Sequence, residues 1–242
     1  MDDYERVISM INREFRCPIC GSILENYKGE ATCIFCGQKE ETTVLCPDNH
    51  YICEECRVAT QSEIIERTYM NTEFTDPFEI ANLIMHHPSF NEHGVEHHEL
   101  VAPVILAAIR NKGAKISDYK IKLSMKRVKN IPYGACGTMG ACGACISAGV
   151  AVSIITKASF LSDIERSLVL KATSSALEKI SEMGGARCCK QSVYAAIEST
   201  KDILTKVLDI KWDYKPIKCQ FQDKIRDCKK ERCPYYDKME AT

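Results

Sequence analysis

A mainly α fold, with a helical body and a small N-terminal module built on short β-hairpins, is what the sequence predicts. Three observations predict it. The first 60 residues carry paired cysteines, Pro and Gly but only short apolar runs. Apolar residues recur at helical spacing through residues 100 to 208. No G-x-G-x-x-G follows a strand pattern and no G-x-x-x-x-G-K-[ST] occurs, so neither a Rossmann nor a P-loop nucleotide site is expected.

Composition narrows the class. Hydrophobic content of 45% with 27% charged residues suits a globular core. A formal net charge of −1 supplies no global basic field for nucleic acid or an anionic membrane. No apolar run is long enough to span a bilayer. Met1-Asp2-Asp3-Tyr4-Glu5-Arg6 lacks the basic and apolar regions of a signal peptide, so a cytoplasmic protein is expected. Fifteen cysteines, an odd count arranged largely in short-spaced groups, read as reduced metal-holding thiolates rather than a disulfide framework.

Two domains are expected: a metal-binding module over residues 1–60, and a cysteine-rich helical domain over 61–242 that ends in a charged tail. Within the second, Leu100 to Arg110 is apolar nearly all round, as in a buried helix. Ala144 to Ile155 mixes small and β-branched residues, which fits a close-packed helix or, over Val150 to Ile155, a buried strand. Ser162-Asp163-Ile164-Glu165 has the pattern of a capping box. After it Ile164, Leu168, Val169, Ala172, Ala176, Leu177 and Ile180 share a helical face, and Gly184-Gly185 provides a stop. A last helix is predicted from Lys190 to Leu208, with Val193, Ala196, Ile197, Ile203, Leu204 and Val207 inward.

The chemistry begins with two hooks, Cys17-Pro18-Ile19-Cys20-Gly21 and Cys33-Ile34-Phe35-Cys36-Gly37. Each turn presents two thiolates, and two such turns complete the tetrahedral sulfur site that zinc prefers. Cys46 and His50, then Cys53 and Cys56, add four more ligands. Eight ligands imply two zinc ions, paired sequentially or interleaved, in a zinc-ribbon or treble-clef-like brace. So short a segment relies on metal to stay folded.

Five of the six histidines follow: His86, His87, His93, His97 and His98. Imidazoles beside carboxylates suit metal binding or proton transfer. His93-Gly94-Val95-Glu96-His97 matches H-x-x-E-H, but Gly94, Pro88 and Asn91 favour a helix that starts near Gly94, with His97 and His98 in its first turn. Purely structural histidines are the competing reading.

The string from Gly134 to Cys145 sets Cys136, Cys142 and Cys145 among four glycines. Downstream, Arg187-Cys188-Cys189-Lys190 places two thiols beside two cations at a helix start. Irregular spacing in a glycine-rich loop suits an iron–sulfur cluster, with three thiolates leaving one iron open. Buried free cysteines are the alternative. The tail adds Cys219, Cys228 and Cys233-Pro234, three ligands that need a fourth.

The chain resembles an uncharacterised family of anaerobic archaea and bacteria, some of whose members are appended to radical-SAM proteins. The resemblance rests on His87-Pro88-Ser89, His93-Gly94, Glu96-His97-His98-Glu99, Gly140-Ala141-Cys142-Gly143, Gly184 to Lys190, and the closing Cys219, Cys228 and Cys233-Pro234. It implies a zinc-ribbon-like start, a helical domain and an anaerobic setting. The order of a Gly-Ala-Cys loop, a small-residue helix and a later Gly-x-x-Cys is also similar to the iron–sulfur domain of serine dehydratases and cysteine desulfidases. This chain departs from that pattern in its tandem Cys188-Cys189 and its histidine cluster.

Two functions compete. One is a 4Fe-4S enzyme, a lyase, desulfidase or sulfur transferase acting on a small anionic substrate such as an amino acid or thiol. There Arg187 and Lys190 hold the anion, while His93 or His97, oriented by Glu96, moves the proton. The other is a non-catalytic docking or metal- or sulfur-delivery protein for a partner enzyme, of the radical-SAM type on the first resemblance. A homodimer is left open.

Overall fold

The computed structural model describes residues 15–185, 187–210 and 216–238. The N-terminal residues 1–6 read above for a targeting segment, Ala186 of the double-cysteine string, and tail residues 213–215 and 239–242 lie outside them.

Strands β1 (Glu25–Thr32) and β2 (Lys39–Leu45) pair antiparallel, with the register broken between Asn26 and Gly29. Most side chains of both strands are exposed or only half-buried. A lone hairpin with so little apolar cover is marginal by itself, and the paired cysteines sit at its two ends. The chain then enters α1 (Glu54–Arg57) and α2 (Gln61–Asn71). A reciprocal box starts α2: Glu63 N–H donates to Thr60 Oγ1 (3.3 Å) and Thr60 N–H to Glu63 Oε2 (2.8 Å). Helix α3 (Pro77–Met85) begins on Asp76, whose Oδ1 accepts from Phe78 N–H at 2.8 Å, with Pro77 in the first turn.

The centre of the body is α4 (Glu96–Asn111), buried at every position from Glu99 to Ile109. Around it pack α2, α3, α5 (Asp118–Val128), α7 (Gly143–Thr156) and α9 (Cys189–Leu208). The single turn α6 (Ala135–Thr138) precedes α7, and α8 (Ile164–Met183) covers α7 and α9 from outside. Two 3-10 turns, Gln222–Lys224 and Lys230–Arg232, fold the tail back. One apolar core runs from Ala31 and Phe35 of the hairpin end, through the helices, to Phe221, Ile225 and Tyr235 of the tail. Among the described residues no helix is long and apolar enough to cross a membrane.

The predicted helices are present, with local corrections. Residues 150–155 are helical rather than a strand. Gly149 explains why β-branched neighbours do not decide the matter: a Cβ there would meet Thr173 Oγ1 at 2.2 Å and Val169 O at 3.1 Å. Helices α7 and α8 therefore touch at the glycine, against the buried Ala172 and Ala176 of α8. The Ser162 capping box does not form. Asp163 is the residue before α8 and makes no side-chain cap, while Ser162 Oγ accepts from Ser159 N–H at 3.0 Å. Ile164 and Val207, expected inward, are 70% and 37% exposed, because both lie near helix ends.

Candidate metal centres

The hairpin geometry decides the pairing of the hooks. Cys17 and Cys20 precede β1, and Cys46 and His50 follow β2, so all four meet at one end. The β1–β2 turn holds Cys33 and Cys36, which the returning chain joins with Cys53 and Cys56. The ligand atoms of each group lie within 4.8 Å of one another. The pairing is thus interleaved. In the first group His50 Nδ1 lies 3.7 Å from Cys17 Sγ and 3.6 Å from Cys46 Sγ, and Cys20 and Cys46 are 3.4 Å apart. In the second, Cys36 and Cys53 are 3.6 Å apart. These are the separations of ligands around one tetrahedral ion, and both groups could hold a metal ion. The second is anchored to the body: Arg67 Nη1 donates to Cys56 Sγ at 3.4 Å, and His87 Nε2 donates to the Cys56 carbonyl at 2.8 Å.

The five clustered histidines divide into two kinds. His86 and His87 are satisfied. His86 Nδ1 bonds the Asn82 carbonyl at 2.8 Å and its ring lies on Phe221, with centroids 4.5 Å apart. His87 Nδ1 pairs with Ser89 Oγ at 2.7 Å. By contrast His93 Nδ1, His97 Nε2, His98 Nδ1 and Glu96 Oε1 are buried without a hydrogen-bond partner. His97 is wholly buried in the first turn of α4, as the sequence predicts for that turn. Its Nδ1 lies 3.2 Å from Gly94 O and 3.4 Å from Glu96 Oε1. Both neighbours are acceptors, so Nδ1 carries the hydrogen and Nε2 keeps a free lone pair.

Burial lowers the pKa of all five below the ordinary 6.5. The folded chain therefore binds fewer protons than the unfolded chain below pH 6.5. Stability is intact above that value and falls as the pH drops through it. For each such histidine the slope reaches at most about 1.4 kcal/mol per pH unit. His86→Gln is expected to flatten the urea-unfolding free energy between pH 7 and 5.5 by up to that amount. An unchanged slope would show that His86 folds with its proton.

The body cysteines also divide. Cys142 is the residue before α7 and Cys145 lies in its first turn; both are buried. Cys142 is held down to about 6, chiefly by a hydrogen bond from Cys145, with backbone donors at Cys145 and Ala144 and the Ser192 side chain adding to it. The same contact, together with burial, pushes Cys145 far up. A pocket between α4, α7 and α9 brings Cys136, Cys142 and Cys189 together with His97, His98 and Arg187. The backbone N–H of Gly94 bonds the Cys189 sulfur, which ties the histidine loop to this wall. Gly143 is required there, because a Cβ would meet the His98 ring at 2.3 Å.

Cys188, grouped with these in the sequence reading, lines a different cavity with Cys219, Cys228 and Cys233. Arg187 does reach the pocket, where it stacks on Tyr133, its Cζ 4.5 Å from the ring centroid. Lys190 points elsewhere. It is buried, with Nζ donating to the carbonyls of Asn91 and Glu92, and so holds the loop that carries His93.

Tyr133 and Ser192 escaped the sequence reading as pocket residues, while His98, read there only as one of the clustered histidines, lines the pocket. Helical spacing was the available signal for one of them, since Ser192 stands three residues after Cys189. Residues 65–236 match the model of a family described as a Family of unknown function (DUF5714). No curated protein and no solved structure matches the chain.

Proposed function

The chain belongs to the DUF5714 family of unknown function, and we propose that the pocket between α4, α7 and α9 makes it an iron–sulfur-dependent enzyme of anaerobic metabolism. One observation carries this reading: the free lone pair of a fully buried imidazole, His97 Nε2, stands on the wall that also presents Cys136, Cys142 and Cys189. An unpartnered polar atom at that depth is costly unless something fills the space before it. The donor set, soft thiols with Cys142 already favoured as thiolate, fits iron–sulfur ligation.

Cys136, Cys142 and Cys189 would hold the cluster, with Cys145 supporting Cys142. When bound, such a cluster with three protein thiolates supplies an open iron that acts as a Lewis acid toward a hydroxyl, thiol or carbonyl. The chain's own groups do the rest. Arg187, steadied on Tyr133, receives a carboxylate of a small anionic substrate. His97 Nε2 accepts a proton, and Glu96 beside Nδ1 stabilises the resulting imidazolium. His98, beside His97 in the first turn of α4, and His93, in the loop before that helix, offer further unpartnered nitrogens. Elimination of water or sulfide, or transfer of sulfur, is the chemistry these groups support. The two hairpin sites take zinc as closed structural ions, and a reducing cytoplasm keeps the thiols free.

A docking or delivery role for a partner enzyme is the second reading. The exposed position of Cys136 favours it, because an accessible thiol can hand on its metal or sulfur. Anaerobic purification of the whole chain separates the two. We expect iron and acid-labile sulfide, an electron paramagnetic resonance signal that changes on adding a small thiol amino acid, and loss of that responsive signal together with its share of the iron in Cys142→Ser and Cys189→Ser. His97→Ala should keep the iron and lose turnover. Full iron and sulfide in both cysteine variants would remove the pocket centre, and zinc alone in the wild type supports docking.

A further inference from the structure

The three tail cysteines lack a fourth ligand in the sequence, and the fold brings one to them. Cys188, Cys219, Cys228 and Cys233 line a single cavity between α9 and the tail. We infer that these four thiolates form a second, coordinatively closed iron–sulfur centre, separate from the pocket of Cys189.

Each of the four sulfurs accepts an N–H. Gln191 N–H donates to Cys188 (3.5 Å), Phe221 N–H to Cys219 (3.4 Å), Lys230 N–H to Cys228 (3.5 Å), and Gln191 Nε2 to Cys233 (3.3 Å). A neutral thiol is a weak acceptor and does not need such a donor, whereas a metal-bound thiolate does. Four donors converging on four sulfurs are the environment that a cluster's ligands use. A buried cation adds to it: Lys229 Nζ bonds Gln191 Oε1 at 2.9 Å, placing positive charge next to the donor of Cys233.

The spacing selects the class of centre. At each hairpin site all four ligand atoms stand within 4.8 Å of one another, as one ion requires. No three sulfurs of the tail set do so. The set is spread around a space rather than closed on a point, which suits a multinuclear cluster. With four protein thiolates and no open iron, this centre carries electrons or locks the tail and does not bind substrate.

The tandem cysteines make the separation possible. Cys188 is the residue before α9, in extended conformation, and Cys189 is its first helical residue. Their side chains leave the chain on opposite sides, one toward the tail and one toward the pocket.

The test uses the whole chain, purified anaerobically or reconstituted with ferrous iron and sulfide. Cys219→Ser and Cys228→Ser should each lose about four irons and four sulfides, the content of one 4Fe-4S cluster, while keeping the hairpin metal. The double variant Cys142→Ser/Cys189→Ser should retain that complement. If it retains all the wild-type iron, the pocket reading fails and this one stands. Gln191→Leu removes the side-chain donor to Cys233 and should keep the iron but move the midpoint potential negative, since N–H···S bonds stabilise the more reduced cluster. Wild-type iron in both tail variants, a third zinc in place of iron, or an unmoved potential in Gln191→Leu would overturn the inference.

Discussion

Cys53→Ser is expected to strip metal from the second hairpin site and to unfold residues 15–59 as a unit while the helical body stays folded. Cys53 is fully buried, and its sulfur sits 3.6 Å from Cys36 in the group that closes the hairpin turn. The strands bury little on either face, so few contacts replace the lost ion. A structural zinc contributes roughly 10–16 kcal/mol of apparent folding free energy at neutral pH, more than a 45-residue apolar surface can supply. Interleaving spreads the damage. Ile34 N–H bonds the Tyr51 carbonyl at 2.9 Å, so the segment that returns from the first site to the second is itself laid against the turn. When the second site opens, the Cys46–His50 arm loses that support. Metal analysis should fall by at least one ion per chain, and limited proteolysis should cut within 15–59 first. Unchanged metal content with wild-type protease resistance would refute a metal-held module.

Tyr194→Ala should cost about 3–5 kcal/mol, the range for deleting a large buried aromatic. Tyr194 is fully buried on α9, and its hydroxyl donates to Asn82 Oδ1 of α3 at 2.6 Å. Its ring packs edge-on against Tyr235 of the tail at 5.3 Å and lies 6.2 Å from Phe78. One side chain therefore joins α9, α3 and the tail. Tyr194→Phe keeps the packing and loses the hydrogen bond, for about 1 kcal/mol plus the exposure of an unmet Asn82 acceptor. Urea unfolding of both variants, with proteolysis of residues 216–238 as a second readout, separates packing from bonding. Equal losses in Ala and Phe would mean that the hydroxyl bond to α3, not the packing of the ring, carries the stabilisation.

The elements that were legible from the sequence are those whose signal is local. Each C-x-x-C hook states its own turn, and the long helices state their period, so the hairpin ligands and the spans of α4, α8 and α9 could be read directly. What was not legible depends on rotation and on partners distant in the chain. Cys188 and Cys189 look equivalent until the start of α9 is fixed, with Cys188 before the helix and Cys189 its first residue. Lys190 reads as a cation beside thiols that holds an anionic group, yet loop 91–92, nearly a hundred residues earlier, takes its ammonium. The five histidines form one cluster in sequence but split by their partners: His86 and His87 are satisfied by Asn82 O, Cys56 O and Ser89, whereas His93, His97 and His98 each keep one buried ring nitrogen without a partner. The order of hook pairing needed the return of the chain past Tyr51.

Helix α4 is enclosed by five neighbouring helices, and Pro103 stands in its middle. Proline cannot donate, and the neighbouring Ala102 N–H is taken by the buried Ser147 hydroxyl of α7 at 3.0 Å. The amides of Leu100 to Ile109 consequently have no local route to solvent, and their deuterium uptake should proceed through whole-molecule opening. His97 and His98 are mounted on the first turn of this helix. The wall they form is thus carried by the helix at the centre of the core, and a change of shape at the pocket is expected from the opposite side, through residues 133–141, a difference that deuterium uptake on the two walls would test.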